Sequence, residues 1–184
     1  TCVRECPAKA IRIADGQAEV VAERCVGCGN CVRVCSQGAK SVQDGTGPVR
    51  ALLDSAEPVA AIVAPSFPAE FDACDYKLVV GMLRALGFDS VFEVGFGADL
   101  VAQAYRHLLE DGDDDQRHIA ATCPAIVGYV QRYHPSLAKS LAPIVSPMIA
   151  MARVVQSISP AQTRIVFIGP CIAKKGEARD PSLS

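Results

Sequence analysis

The chain has 184 residues, half of them apolar and 21% charged, with a net charge of −2 and a pI of about 5.9. That is enough for one ordinary domain plus a small module, and no basic block marks a nucleic-acid footprint. No run of about 18 apolar residues offers a membrane span and no signal peptide precedes the first motif, which together lead to the expectation of a cytoplasmic protein.

Cysteine is the informative residue. Of nine, six (Cys2, Cys6, Cys25, Cys28, Cys31, Cys35) fall in the first 35 positions, while Cys74, Cys123 and Cys171 are scattered. A disulfide framework suits a small secreted domain, but a large apolar segment follows here, so clustered thiols point to metal. The stretch Cys25–Cys35, CVGCGNCVRVC, reads C-x2-C-x2-C-x3-C. Three thiolates at that spacing wrap one iron–sulfur cubane, and the fourth ligates the other cluster of a two-cluster module. Gly27 and Gly29 let the backbone turn closely around the inorganic core. Structural zinc instead favours two C-x2-C pairs with a longer spacer, so the spacing favours a cubane.

Cys2-Val3-Arg4-Glu5-Cys6 and Cys31-Val32-Arg33-Val34-Cys35 both read C-V-R-x-C, and Ala10 and Ile13 are echoed by Ala39 and Val42. This is an internal duplication. It predicts two further cysteines upstream of Thr1. Residues 1–43 thus resemble a bacterial-type ferredoxin with two [4Fe–4S] clusters, without its first strand and first two ligands. That resemblance implies a complete cluster on Cys6, Cys25, Cys28 and Cys31. Cys2 and Cys35 would hold half of the other. Ser36 stands where the first repeat has Pro7, which donates no ligand.

Residues 44–57 mix Gly, Pro and charge and read as a connector with one helical turn. VAAIVAP, from Val59, is a continuous apolar run suited to a buried parallel strand. A helix is predicted from Ala69 to Leu86, with Phe71, Cys74, Leu78, Met82, Leu83 and Leu86 as its core stripe and Gly87 as its cap. SVFEVGF is a second strand. ADLVAQAYRHLLE is a helix with Val101, Ala104, Leu108 and Leu109 on one face. The acidic run 110–115 is a solvated turn without the spacing of a calcium loop. RHIAATC is a third strand, Pro124 opens a helix through Tyr133, SPMIAMARVVQSI is another helix, and RIVFIGPC is a fourth strand.

This alternation predicts an α/β layer with a parallel sheet, preceded by a small α+β module. The domain plan is 1–43, a connector at 44–57, and 58–184. In such sheets ligands gather at the carboxyl edge. Cys123, Cys171 and Pro65-Ser66 would each close a strand there, beside helix N-termini that favour anions. A scattered cysteine is also a common small core residue, and on spacing alone both readings of Cys123 and Cys171 stand. Cys74 is assigned to core packing. Met148 and Met151 share a helix face and read as core. His107, His118 and His134 lack partners at metal spacing and read as structural. GFGADL fails as a dinucleotide fingerprint, since Leu100 replaces the third glycine.

IVAPSFPAEF, FEVGFGADL, ATCPAIVGYVQRYHP, LAPIVSPMIAMAR and FIGPCIAKKGEA occur in this order over 58–184. Together they resemble the large-subunit catalytic domain of [FeFe]-hydrogenases, which also carry a ferredoxin module upstream. The resemblance implies an H-cluster, a cubane bridged to a two-iron centre, held by four cysteines in three motifs. Cys123-Pro124 matches the first motif. Pro170-Cys171, with Lys174, Lys175 and Glu177, matches the second. The third would lie beyond Ser184. Lys174 would meet a cyanide of the two-iron centre, and Ala64-Pro65-Ser66 would line the other.

The sequence departs from catalytic members in several places. Thr122 replaces the cysteine that relays protons, and a hydroxyl has too high a pKa for that work. Tyr105 and Leu108 stand where relay carboxylates are expected, and Met148 stands where a glutamine is. The resemblance therefore points to the sensory branch, with slow interconversion of protons and H2, a redox partner such as ferredoxin, and a signalling domain beyond Ser184. Two alternatives accompany it. One is a non-catalytic iron–sulfur scaffold or redox regulator without the two-iron centre, as in the eukaryotic group that works in cytosolic iron–sulfur assembly. The other is a fully active hydrogenase with a different proton path.

Overall fold

The protein is described by a computed structural model that covers residues 1–112 and 117–183. Asp113, Asp114 and Asp115 of the acidic run lie outside the described residues. In chain order the elements are α1 (Cys2–Glu5), β1 (Ile11–Ala14), β2 (Gln17–Val20), α2 (Asn30–Arg33), α3 (Thr46–Leu53), β3 (Val59–Val63), α4 (Tyr76–Ala85), β4 (Ser90–Glu93), α5 (Val94–Glu110), α6 (Pro124–Tyr133), α7 (Pro147–Ile158), β5 (Arg164–Ile168) and α8 (Lys174–Glu177). Two compact units result. One gathers Thr1–Gln43, Arg117–Pro143 and Cys171–Ser184; the other gathers Asp44–Gln116 and Ile144–Pro170.

The second unit is the α/β layer. Its sheet is parallel, in the order β4-β3-β5. All five residues of β3 are buried, as a central strand covered on both faces requires. Ala61 lies opposite Val91 on one side and Val166 on the other. Burying a side chain such as Ile62 contributes about 2 kcal/mol, and it is 1% exposed. Asp89 fixes the strand's start by accepting from the Val59 N–H at 2.7 Å. α5 packs on α7 at Gly97, where a Cβ would stand 3.0 Å from that of Met151 and collide with the Pro147 carbonyl. Ser146 caps α7 by accepting from the Ile149 N–H at 3.4 Å, with Pro147 at the first helical position. Met148 and Met151 are core residues, as their spacing predicts.

Several sequence expectations change here. The connector at 44–57 holds a two-turn helix, α3, whose Val49, Leu52 and Leu53 pack on the core of Val59, Ala61 and Phe88. The helix expected from Ala69 starts only at Tyr76, because Asp75 caps it, accepting from the Lys77 N–H at 2.7 Å. Its inward residues are Val79 and Leu83. Phe71, Leu78, Met82 and Leu86 of the expected core stripe are exposed, and Cys74 is half-buried before the helix. Gly87 does terminate α4, at φ 108°. The strand SVFEVGF stops at Glu93, where α5 begins, and Leu109 points outward. RHIAATC forms no sheet strand; it makes a single parallel bridge, Ile119 to Leu141, inside the first unit. The sheet edge that was to collect Cys123 therefore does not, because that segment has no ladder partner.

The first unit is built on the antiparallel hairpin β1–β2, whose Asp15 and Gly16 both have positive φ, the signature of a tight two-residue turn. Cys6, Ala8, Ala10 and Ile11 form its buried core, with Val26 and Tyr133 packed against it. The duplication survives as geometry. Glu5 N–H bonds to the Thr1 carbonyl and Val34 N–H to that of Asn30. Lys9 bonds to Cys6 and Gly38 to Cys35 in the same way. Lys9 and Gly38 share a positive φ, 47° and 62°.

Candidate iron–sulfur site

Cys6, Cys25, Cys28 and Cys31 line one pocket in the first unit. These are the four thiols that the ferredoxin resemblance groups. Each arrives from a short local device. Cys6 ends α1 and Cys31 lies in the first turn of α2. Gly27 and Gly29, at φ 67° and 75°, make the two reversals that present Cys25 and Cys28.

The thiols are tested as ligands by their surroundings. Ala10 N–H donates to Cys6 Sγ at 3.2 Å, Gly27 N–H to Cys25 Sγ at 3.4 Å, and Ala39 N–H to Cys35 Sγ at 3.3 Å. Donors of this kind stabilise sulfur that carries negative charge and tune a cluster's potential. Burial, then the nearby Cys25, push the Cys31 thiol above its ordinary range, with Cys28 adding to the effect. Thiolates that repel each other in one pocket are the arrangement that bound iron relieves. Among the described residues no three His, Cys, Asp or Glu side chains converge at the spacing one ion demands. Cys35, in contrast, is pulled below its ordinary range by the backbone N–H groups of Ala39 and Gln37.

The other candidate residues of this unit meet around α6. Cys123 is its N-cap, at the positive end of a ten-residue helix. Cys171 lies just past β5 and leads into α8. Lys174 joins the two cysteine segments. Its ammonium donates to the Thr122 carbonyl at 3.3 Å and to Glu177 Oε2 at 2.7 Å. The pair is largely shielded, at 12% and 7% side-chain exposure. Cys123 and Cys171 are themselves exposed. Ala64, Pro65 and Ser66 belong to the second unit, immediately beyond β3. There Ala64 N–H bonds to the Ile168 carbonyl at 2.8 Å, and Pro65 and Ser66 are exposed.

The far end of α6 is a feature that sequence reasoning missed. The Tyr133 hydroxyl lies 2.7 Å from the Ala8 carbonyl and 2.9 Å from that of Arg24, and Arg132 donates to the Cys25 carbonyl. The helix is therefore anchored directly on the cysteine loop. QRYHP carries no local signal of this, since the partners are more than a hundred residues away.

Comparison with known proteins agrees with this arrangement. Residues 57–184 match the C-terminal domain of the iron only hydrogenase large subunit, and residues 1–44 match the LdpA Fe-S cluster-binding domain. The chain is 26% identical to the NADP-reducing hydrogenase subunit HndD of Solidesulfovibrio fructosivorans, over 87% of its own length and 32% of that protein. It is 28% identical to the cytosolic Fe-S cluster assembly factor NAR1 of Yarrowia lipolytica, over 62% of its length and 25% of that protein. It spans about a third or less of these relatives. A solved [FeFe]-hydrogenase, from work on oxygen damage to the 2Fe subcluster of the H cluster, superposes with a TM-score of 0.58. The likeness covers 77% of this chain and 43% of that one at 25% identity. These matches support [4Fe–4S] clusters as the chain's cofactors. By the match over residues 57–184 and the parallel α/β layer those residues contain, the chain belongs to the iron-only, or [FeFe], hydrogenase large-subunit family.

Proposed function

We propose that this protein is a cytoplasmic hydrogen or redox sensor of [FeFe]-hydrogenase type, with slow interconversion of two protons and two electrons with H2. A cubane would be held by Cys6, Cys25, Cys28 and Cys31, and Cys2 and Cys35 would contribute to a second. Cys123 and Cys171 would hold an H-cluster-like centre, with Lys174 beside its two-iron part. The partners are electron carriers, ferredoxin being the one proposed, and a signalling domain would receive the output. Among the described residues no helix is long and apolar enough to cross a membrane.

Thr122 carries the reading. It sits next to Cys123, where turnover needs a group that gains and loses a proton near neutral pH, and a hydroxyl does not do this. Lys174 adds support, because Glu177 and the Thr122 carbonyl already hold its cation in one place. A centre with fixed charge and no relay responds to its ligand without rapid turnover.

Infrared spectroscopy of the maturated protein tests the proposal. Bands from CO and CN⁻ on iron are expected, and their absence after maturation would sink it. The Thr122→Cys variant should then raise turnover; no rise in a protein that holds the complete centre removes the broken relay as the explanation. The scaffold reading is favoured by one observation: the 28% identity to the cytosolic Fe-S cluster assembly factor NAR1 of Yarrowia lipolytica. It predicts a cubane signal with no CO or CN⁻ bands.

A further inference from the structure

The segment that follows Cys171 is seated on the loop that follows Cys28. A Cβ on Gly29 would collide with Ile172 Cδ1 and stand 3.2 Å from its Cγ1 and 3.4 Å from its Cβ, while a Cβ on Gly27 would lie 3.8 Å from the Ala173 Cα. Gly29 has positive φ, but so do Gly16 and Gly38, where an added Cβ would meet nothing within 4 Å. Conformation alone therefore explains those two glycines. At Gly29 a second requirement exists: the space of the missing side chain is filled by Ile172.

We infer that Ile172 is a positioning residue that couples the two cysteine sites. Seated in the notch of Gly29, it holds Cys171 one residue away from the contact on one side and Cys28 one residue away on the other. The path Cys28–Gly29···Ile172–Cys171 crosses a single non-bonded gap, and electronic coupling falls off more steeply across gaps than along bonds. Close packing makes such a contact sensitive to one methyl group. α6 fixes the same relation from the other cysteine, running from Cys123 to the Arg132 and Tyr133 anchors on the loop. The inference rests on Cys123 and Cys171 holding an iron–sulfur centre.

The test uses the whole protein, anaerobically reconstituted and reduced, with iron and sulfide assayed beside its electron paramagnetic resonance spectrum. Magnetic interaction between the two centres should broaden the wild-type spectrum. Ile172→Ala should narrow that broadening, as the two loops lose the contact that holds them together, with iron content unchanged. Gly29→Ala should also narrow it, and adding Ile172→Val, which removes the clashing Cδ1, should restore it. Gly16→Ala shares the positive φ in open space and should match wild type. Wild-type broadening in Ile172→Ala, or failure of the double variant to recover relative to Gly29→Ala, overturns the inference and leaves the site reading intact. If Cys123→Ser and Cys171→Ser together leave the iron content untouched, the site reading fails first and the inference falls with it.

Discussion

The two halves of the duplicated cysteine motif share a backbone and differ in what surrounds them. Cys6 and Cys35 each close a C-V-R-x-C turn, and each accepts a hydrogen bond from the N–H four residues on. Around Cys6 that N–H belongs to Ala10, 1% exposed and backed by the hairpin and by Tyr133. Around Cys35 it belongs to Ala39, which is exposed. One repeat is a site buried under later parts of the chain, and the other faces water. The lesson concerns potential: solvent exposure and hydrogen bonding set it, so clusters held by these near-identical turns would differ in poise.

The largest expected effect breaks the comparison at its ligands. Replacing Cys25 and Cys28 with Ser should remove the iron of the buried site and, because metal binding is coupled to folding, lower the melting temperature of the holo-protein far more than Cys35→Ser does. Iron assay and calorimetry check this; equal losses would mean that the repeats are energetically equivalent. Next, Tyr133→Phe removes a hydroxyl placed against the Ala8 and Arg24 carbonyls, both beside the four-thiol pocket. It should cost about 1–3 kcal/mol in denaturant unfolding, with the signal of the exposed site unchanged.

A smaller effect concerns pH. In apo-protein at neutral pH the lowered Cys35 thiol holds more thiolate and should be alkylated faster than the raised Cys31 thiol. The stabilisation linked to Cys35 is present above its unfolded pKa and lost as pH falls through its lower folded value. For Cys31 the sign is opposite: its contribution is full below the unfolded pKa and lost as pH rises through the folded one. Mass-resolved alkylation across pH reads both, and a reversed order of reactivity would contradict the burial difference.

The cysteine spacing was legible because it is local. C-x2-C-x2-C folds within a few residues, and a repeat can be found by aligning the chain with itself. β3 was legible for the same reason, since an unbroken apolar run suits only a strand covered on both faces. α4 was not: its apolar stripe predicts a buried face, yet Leu78, Met82 and Leu86 are exposed while Val79 and Leu83 turn inward. Periodicity marks a face without naming what covers it. RHIAATC has strand composition, but a strand also needs a ladder partner.

From the sequence alone follow the kind of cofactor, the family and the alternation of strand and helix. All rest on short-range spacing or on motif order along the chain. Only the tertiary structure decides which repeat is buried, that α6 is anchored on the cysteine loop, that Lys174 is held by Glu177 and Thr122, and that Ile172 fills the space above Gly29. Those contacts join residues far apart in the chain, and their partners are chosen by packing, which no local pattern encodes.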